Sequence, residues 1–414
     1  MFKKLQIMKY YLGTKLFFNR RDVEEYQKKK LSRLLKNLKS DFYPKSQNLK
    51  DFPIINKKTF MENFDRINTL DISQKDALSV ALQAEDSRDF SSKIGDITVG
   101  LSSGTSGSRG VFLVSEEESA RWAGYILRRM LPKPLLQKHK IAFFLRANSN
   151  LYESVGSSII SFTFYDLLTP LKEHIGILNK TQPSILIAPA QVLRLLAQSD
   201  TLTIKPKKII SVAEVLEEDD REIIEIRFSQ PVHQVYQCTE GFLAHTCKEG
   251  NLHLNEDIVL VEKEWIDKKS FRFIPIVTDL NRTTQPVIRY RLDDVLILDE
   301  EVCSCGSAFT CIKRIEGRCD DILKMCTVED EEYLLFPDFI RRAIIFNNAN
   351  INEYKVIKEG DTLHIYIDPI SVKNEVEEAL SKLYITHNLK PLKHIFHMHK
   401  IEELNKKRRR VQQL

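Results

Sequence analysis

The chain is 414 residues long, 43% hydrophobic and 29% charged, with a formal net charge of +5 at pH 7. That length exceeds one ordinary core, so a large domain with a smaller one is the default expectation. The charge is small for the length, with both signs spread along the chain, and no run approaches a membrane span, so neither nucleic acid nor a membrane is expected as a partner.

The apolar stretch after Lys3 and Lys4 is broken by Lys9 and Lys15, which leaves no signal-peptide core; a cytoplasmic protein is expected. Residues 22–39 carry Leu31, Leu34, Leu35 and Leu38 at helical spacing, so the chain opens on amphipathic helices, and Phe52-Pro53-Ile54-Ile55 breaks the pattern. From about Ile94, short β-rich runs alternate with helical stretches. The runs are Ile97–Leu101, Val111–Val114, Ile141–Leu145, Ile185–Ala188 and Ile209–Val212, and together they read as an α/β domain. After Asp320 the texture changes. Tyr354–Ile357 and Leu363–Ile367 flank Glu359-Gly360-Asp361 as a hairpin, and a helix is expected from about Ser371 to Leu383, which describes a small α+β domain. The boundaries are placed at 1–319 and 320–414.

Between two of these strands lies Leu101-Ser102-Ser103-Gly104-Thr105-Ser106-Gly107-Ser108-Arg109-Gly110. Its glycines let successive N–H groups turn inward and its hydroxyls add donors, a composition suited to a phosphate chain. A Walker loop would run through Gly-Lys-Ser/Thr straight into a helix. Here a strand follows, and a helix begins only at Ser115, with Glu118 completing a capping box. A Ser/Gly-rich hairpin turn accounts for the loop taken alone.

Four segments follow in order: Ser211-Val212-Ala213-Glu214, Tyr236-Gln237-Cys238-Thr239-Glu240-Gly241, Pro286-Val287-Ile288-Arg289-Tyr290-Arg291-Leu292-Asp293-Asp294, and Ile315-Glu316-Gly317-Arg318-Cys319-Asp320-Asp321-Ile322-Leu323-Lys324. With the glycine-rich loop, they resemble the motif series of the adenylate-forming superfamily over about residues 50 to 414, in particular its phenylacetate-CoA ligase and deazaflavin-coenzyme synthetase branch. The resemblance implies a large multi-layered α/β N-terminal domain that binds ATP and an acid, and a small, mobile α+β C-terminal domain. It implies activation of a carboxylic acid to acyl-AMP with ATP and Mg²⁺, then transfer to CoA, a carrier protein or an amine. It places Ser103, Gly104, Thr105, Ser106 and Gly107 around the triphosphate. Ala213, Glu214 and Val215 border the adenine, with Tyr236 stacked on it. Thr239 contacts the α-phosphate and Glu240 holds Mg²⁺, a hard cation suited to carboxylate and phosphate oxygens. Asp294 takes the ribose hydroxyls, and Arg318 meets phosphate or ribose near a hinge at Asp320.

Two departures from the family pattern stand out. Ser108-Arg109 replaces the usual Lys-Pro, so Arg109 is the candidate loop cation. Met325–Glu332 lacks the glycines of a turn that lines a pantetheine tunnel, which sets CoA or phosphopantetheine transfer apart from adenylation. Two other readings therefore stand beside the first: a nucleotidyl transferase that adenylylates a hydroxyl, and a degenerate homologue that binds nucleotide without catalysis.

All seven cysteines lie between Cys238 and Cys326, an odd number in one segment, which opposes a disulfide framework. Cys247, His253, Cys303 and Cys305 offer the ligand count of a structural Zn²⁺, with Cys311 and Cys238 as competitors and buried thiols as the alternative. Phe143-Phe144-Leu145-Arg146-Ala147-Asn148-Ser149-Asn150-Leu151-Tyr152 follows the strand where the superfamily begins its acyl pocket, and suits an aromatic acid with polar substituents, such as a hydroxylated benzoate. Ordinary core is the better reading for Phe143 and Phe144. Lys406-Lys407-Arg408-Arg409-Arg410 has the composition of a nucleic-acid patch, yet matches the superfamily's Gly-Lys-x-Arg-Arg ending without its glycine, which makes Lys407 the candidate catalytic lysine. A carrier protein as partner and a homodimer are left open.

Overall fold

The first apolar runs belong to α-helices: α1 (Phe2–Gly13), α2 (Arg20–Lys36), α3 (Lys57–Glu62), α4 (Phe64–Ile67) and α5 (Gln74–Ser87). The computed structural model describes residues 2–87, 89, 93–101, 110–132, 137–145, 160–346, 351–400 and 408–414. It divides into two compact units, Met1–Leu292 with Ile297–Arg314, and Asp293–Leu296 with Ile315–Leu414.

In the first unit, β1 (Lys93–Ile94), β2 (Ile97–Leu101) and β3 (Val111–Val114) form an antiparallel sheet, and α6 (Glu116–Met130) follows. The Ser115 Oγ accepts the Glu118 N–H at 3.3 Å and a Glu118 carboxylate oxygen accepts the Ser115 N–H at 3.0 Å, the reciprocal cap that the spacing predicts. Next come β4 (His139–Leu145), β5 (Ile160–Asp166), α7 (Leu171–Thr181), β6 (Ile185–Ala188), α8 (Ala190–Ala197), β7 (Lys208–Ser211), α9 (Glu218–Phe228) and β8 (Val232–Cys238). Strands β5-β4-β6-β7-β8 lie side by side and parallel. Their near-unbroken apolar runs, such as Ile185-Leu186-Ile187-Ala188, are what a sheet covered on both faces requires.

At β8 the sheet changes character. Strands β9 (Gly241–Thr246), β10 (Leu252–Leu254), β11 (Val259–Asp267), β12 (Arg272–Asp279), β13 (Tyr290–Arg291), β14 (Asp294–Leu298) and β15 (Cys311–Arg318) follow. The pairs β8–β9, β9–β10, β10–β15, β11–β12 and β12–β13 are antiparallel. The division between units passes through β14 and β15.

The second unit adds a hairpin of β16 (Leu323–Cys326) and β17 (Glu332–Leu335), then α10 (Pro337–Arg341). A four-stranded sheet follows, with β18 (Glu353–Glu359) and β19 (Thr362–Asp368) as the antiparallel hairpin that the sequence predicts, then α11 (Lys373–Thr386), β20 (Lys393–Met398) and β21 (Val411–Gln413). Parallel β20 and β21 flank the hairpin, in the order β20-β19-β18-β21. Val376, Ala379, Leu380 and Tyr384 of α11 pack on Val356, Ile365 and Val411 in one core. In the turn between β16 and β17, Asp330 adopts φ +66°, and an aspartate tolerates that left-handed position better than most side chains.

Candidate active site and cysteine cluster

In an open α/β sheet, ligands bind beyond the carboxyl ends of parallel strands, where the strand order or direction changes. Two of the predicted segments stand at that edge. Ala213-Glu214 follows β7, and Thr239-Glu240 forms the turn from parallel β8 into antiparallel β9, with Cys238 paired to Gly241 across it. Gly241 has φ +155°, and a Cβ there would come within 3.2 Å of a carboxylate oxygen of Asp279, so the turn needs glycine for conformation and for space. The Ser103, Gly104, Thr105, Ser106, Gly107 and Arg109 loop, the residues from Arg146 to Tyr152, and Lys407 lie outside the described residues.

Thr239 and Glu240 are half-buried and line a small cleft with Lys57, Gly110, Phe112, Arg282 and Tyr290. Gly110 and Phe112 bring the strand after the glycine-rich loop into the same cleft as the β8–β9 turn. Arg282 ties the two together. One of its terminal nitrogens donates to the Thr239 carbonyl at 2.5 Å, and the other to the Leu113 carbonyl at 3.3 Å and to Gln285 Oε1 at 3.0 Å. Gln285 Oε1 also accepts the Leu113 N–H at 3.1 Å. The loop carrying Arg282 is itself pinned. Asp279 accepts the N–H groups of Asn281 and Arg282 at 2.8 and 3.1 Å, and Glu118 accepts those of Thr283 and Thr284 at 2.7 and 2.9 Å. Burial pushes the Asp279 carboxyl up to about 6 against these bonds. Burial also works to raise Glu118, but the N–H bonds and the Arg282 charge outweigh it and hold this carboxyl below its ordinary value. Sequence reasoning missed Asp279, Arg282 and Gln285, because their partners are distant main-chain groups that no local motif announces.

The residues read as the adenine border adopt a defined geometry. Ala213 is exposed at φ +66°, Glu214 accepts the Gln191 N–H at 3.2 Å in the first turn of α8, and Val215 is half-buried beside it. Tyr236 is buried on β8, opposite Ala244. Phe143 and Phe144 are core, as expected; Phe144 stacks on Tyr165 at 4.7 Å between ring centroids.

In the second unit, Asp294 and Arg318 pair with each other at 3.9 Å. Asp321 is a hub: one carboxylate oxygen accepts the Arg318 N–H at 2.9 Å and the other accepts Arg409 Nε at 2.8 Å. Arg408 and Arg410 both reach Glu353, at 3.2 and 2.9 Å. Each arginine of the basic tail thus has a carboxylate partner within its own unit.

The cysteine cluster lies in the first unit. Cys247 follows β9, His253 is on β10, and Cys303 and Cys305 sit on the turn before β15. Their ligand atoms all lie within 4.8 Å of one another, with Cys247 Sγ to Cys303 Sγ at 3.8 Å and Cys305 Sγ to His253 Nε2 at 3.5 Å. A tetrahedral zinc with Zn–S about 2.3 Å and Zn–N about 2.0 Å has S···S edges of about 3.8 Å and S···N edges of about 3.5 Å. His253 Nδ1 donates to the Phe309 carbonyl at 3.0 Å; a carbonyl only accepts, so the proton is on Nδ1 and the Nε2 lone pair faces the thiols. Asn251 donates to Cys303 Sγ at 3.1 Å, and the N–H groups of Cys305 and Ser307 point at Cys303 and Cys305 Sγ at 3.5 and 3.4 Å. Burial opposes ionisation of Cys303, yet these bonds bring its thiol down to about 6. The competing thiols are elsewhere. Cys311 faces Asp299 at 3.9 Å, with burial pushing it up to about 12, and Cys238 faces the Gly241 carbonyl at 3.8 Å.

No protein-family model matches the chain. It is 28% identical over 263 residues to protein CapK of Staphylococcus aureus, a stretch that is 62% of this chain and spans about half, 52%, of that relative's length. Among solved structures, a 2-hydroxyisobutyryl-CoA ligase in its postadenylation state, bound to an acyl-AMP, superposes with a TM-score of 0.68 at 14% identity, covering 93% of this chain and 88% of that one. ATP-bound MatB from Rhodopseudomonas palustris gives a TM-score of 0.54 at 15% identity over 78% and 67% of the two chains. The amide bond synthetase McbA from Marinactinospora thermotolerans gives 0.53 at 12% identity over 76% and 68%. Among the described residues no helix is long and apolar enough to cross a membrane. The chain has the fold of the adenylate-forming enzymes.

Proposed function

We propose that this protein uses ATP and Mg²⁺ to activate a carboxylic acid as its acyl adenylate, releasing pyrophosphate, and then passes the acyl group to CoA, a carrier protein or an amine. The observation that carries the reading is the cleft in which the Thr239–Glu240 turn meets the strand leaving the glycine-rich loop, fastened by Arg282 at the edge where the sheet turns from parallel to antiparallel. The resemblance in fold to enzymes crystallised with acyl-AMP or ATP supports it. CoA and amide ligases among them support both kinds of acceptor.

A carboxylate is a poor acyl donor because oxide would have to leave; attack of its oxygen on the α-phosphorus of ATP installs AMP as the leaving group and expels pyrophosphate. Both reactants are anionic, so the site must supply positive charge and donors aimed at the phosphorus. The loop from Ser103 to Gly107, with Arg109, holds the triphosphate; Thr239 meets the α-phosphate. Glu240 offers a half-buried carboxylate beside a hydroxyl, a hard-oxygen donor set for Mg²⁺, which offsets phosphate charge when bound. Ala213, Glu214, Val215 and Tyr236 border the adenine, and Asp294 and Arg318 serve the ribose and phosphates. Residues 1–319 bind ATP and acid. Residues 320–414 deliver Lys407, two residues from the Arg409–Asp321 anchor, to the reacting oxygens. The acid is aromatic with polar substituents, read from Arg146, Asn148, Asn150 and Tyr152. Cys247, His253, Cys303 and Cys305 would hold a structural Zn²⁺, a reading supported by the 3.8 Å and 3.5 Å separations within a cluster whose donor atoms all lie within 4.8 Å. Exchange of labelled pyrophosphate into ATP, measured over a panel of acids, tests the function. Acid-dependent exchange is expected, and ATP binding without exchange for any acid, or exchange that answers to alcohols instead, would overturn it.

A further inference from the structure

Helix α1 has two apolar faces, and its packing uses one. Ile7 and Tyr11 are buried against α6, where Gly124 lets the helices approach so closely that a Cβ would come within 2.7 Å of Tyr10 Cβ. Tyr10 is fixed on that side too, donating to Glu117 at 2.7 Å beneath the Arg121 guanidinium. The other side is apolar as well: Leu5, Met8 and Leu12 are 63%, 54% and 73% exposed. At 100° per residue these three fall within about 60° of arc, with Lys4 about 40° beyond one edge and Lys9 about 40° beyond the other. Both lysines are exposed. Leu16 and Phe18, 66% and 74% exposed, follow the helix on either side of Phe17, which is buried against Phe309.

The charge is distributed to match. Residues 1–21 hold six basic side chains and no acidic one, whereas the other 393 hold 56 basic and 57 acidic. The whole positive surplus of the chain therefore sits in and just after this helix, not spread evenly as composition suggests. Arg20 and Arg21 are engaged by Glu256, Glu24 and Glu25, while Lys4, Lys9 and Lys15 stand at the surface.

We propose that α1 docks this protein on an anionic phospholipid surface, with Leu5, Met8 and Leu12 entering the boundary between headgroups and acyl chains and Lys4, Lys9 and Lys15 at the level of the phosphates. An exposed apolar stripe edged by lysines is the pattern of a helix lying in the plane of a membrane interface. Charge selects this occupant: a second copy of α1 laid on the stripe would bring Lys4 and Lys9 against their own counterparts, whereas an anionic bilayer satisfies stripe and lysines together. The expectation of no membrane partner rested on the length of apolar runs, which tests for spanning and not for surface docking.

The full chain is sedimented with vesicles of phosphatidylcholine alone and of equal parts phosphatidylcholine and phosphatidylglycerol. It is expected to pellet with the anionic vesicles only, and less at high salt. Lys4→Gln with Lys9→Gln should weaken binding about 25-fold, at about fivefold per lysine. Leu5→Ser with Met8→Ser and Leu12→Ser should abolish it, while circular dichroism and melting stay at wild type because all three side chains face away from α6. Failure of the wild type to bind anionic vesicles, or equal binding by the triple serine variant, would overturn the proposal. So would a wild-type dimer that the triple variant converts to monomer without vesicle binding, since the stripe would then be an interface between copies.

Discussion

Replacing Cys303 with serine removes one sulfur from the four clustered donors proposed to hold zinc, whose atoms all lie within 4.8 Å of one another. Its sulfur lies 3.8 Å from Cys247 and takes the Asn251 hydrogen bond at 3.1 Å, so it is the most heavily supported donor of the set. A metal held by these side chains cross-links positions 56 residues apart, and the entropy of closing that loop in the unfolded chain corresponds to roughly 4 kcal/mol. At about 2 °C per kcal/mol for a unit of this size, the variant should melt about 8 °C below the wild type. Elemental analysis of protein purified without added zinc, paired with thermal scans before and after chelation, reads both quantities. The wild type should carry one zinc per chain and fall on chelation to the melting temperature of Cys303→Ser, which should itself be substoichiometric and insensitive to chelator. A wild type that holds no zinc and melts identically with chelator or added zinc would rule out a structural metal here, as would a serine variant that keeps a full equivalent.

Arg282→Met should cost about 3 kcal/mol in urea unfolding, because the Thr239 and Leu113 carbonyls and Gln285 lose a charged donor in a buried setting, and pyrophosphate exchange should fall with it; a wild-type urea midpoint would show that Arg282 does not fasten the turn. Glu118 has a depressed folded pKa, so its contribution to stability is present above the unfolded value of about 4.3 and is lost as pH falls through the lower folded value. The stability gap between wild type and Glu118→Gln should accordingly narrow as urea titrations move from neutral pH to below about 4, and a gap constant with pH would contradict this. Lys407→Ala should slow adenylation about a hundredfold to a thousandfold while leaving transfer from supplied acyl-AMP nearly intact, as expected for one electrostatic stabiliser of the first half-reaction; a wild-type exchange rate after deletion of residues 404–414 would place the catalytic cation elsewhere.

The elements of the fold were legible wherever local chemistry decides them. Ile97–Leu101, Val111–Val114 and Ile185–Ala188 are strands with the limits that their β-branched runs imply, and Ser115 with Glu118 caps a helix as the spacing requires. What the sequence hid is long-range. Arg282 and Gln285 reach Thr239 and Leu113, and nothing in the local pattern distinguishes them from surface polar residues. The carboxylate partners of the tail arginines were hidden too, because Asp321 and Glu353 are 88 and 55 positions away in the chain. The cysteines were ambiguous by composition, and only their positions separate Cys303 and Cys305, beside His253, from Cys311, which faces Asp299. The two apolar faces of α1 were invisible for a related reason: a length criterion for membrane spans says nothing of which side a short helix buries.

If a carboxylate oxygen attacks the α-phosphorus of ATP in the cleft around Thr239 and Glu240, as proposed, that oxygen leaves with AMP. The acid that best supports exchange is supplied with heavy oxygen in its carboxylate, and the AMP formed after transfer or hydrolysis is weighed by mass spectrometry. AMP carrying one heavy oxygen is expected, with pyrophosphate as the co-product and no labelled AMP from Glu240→Gln. Unlabelled AMP, or ADP in place of AMP and pyrophosphate, would contradict it.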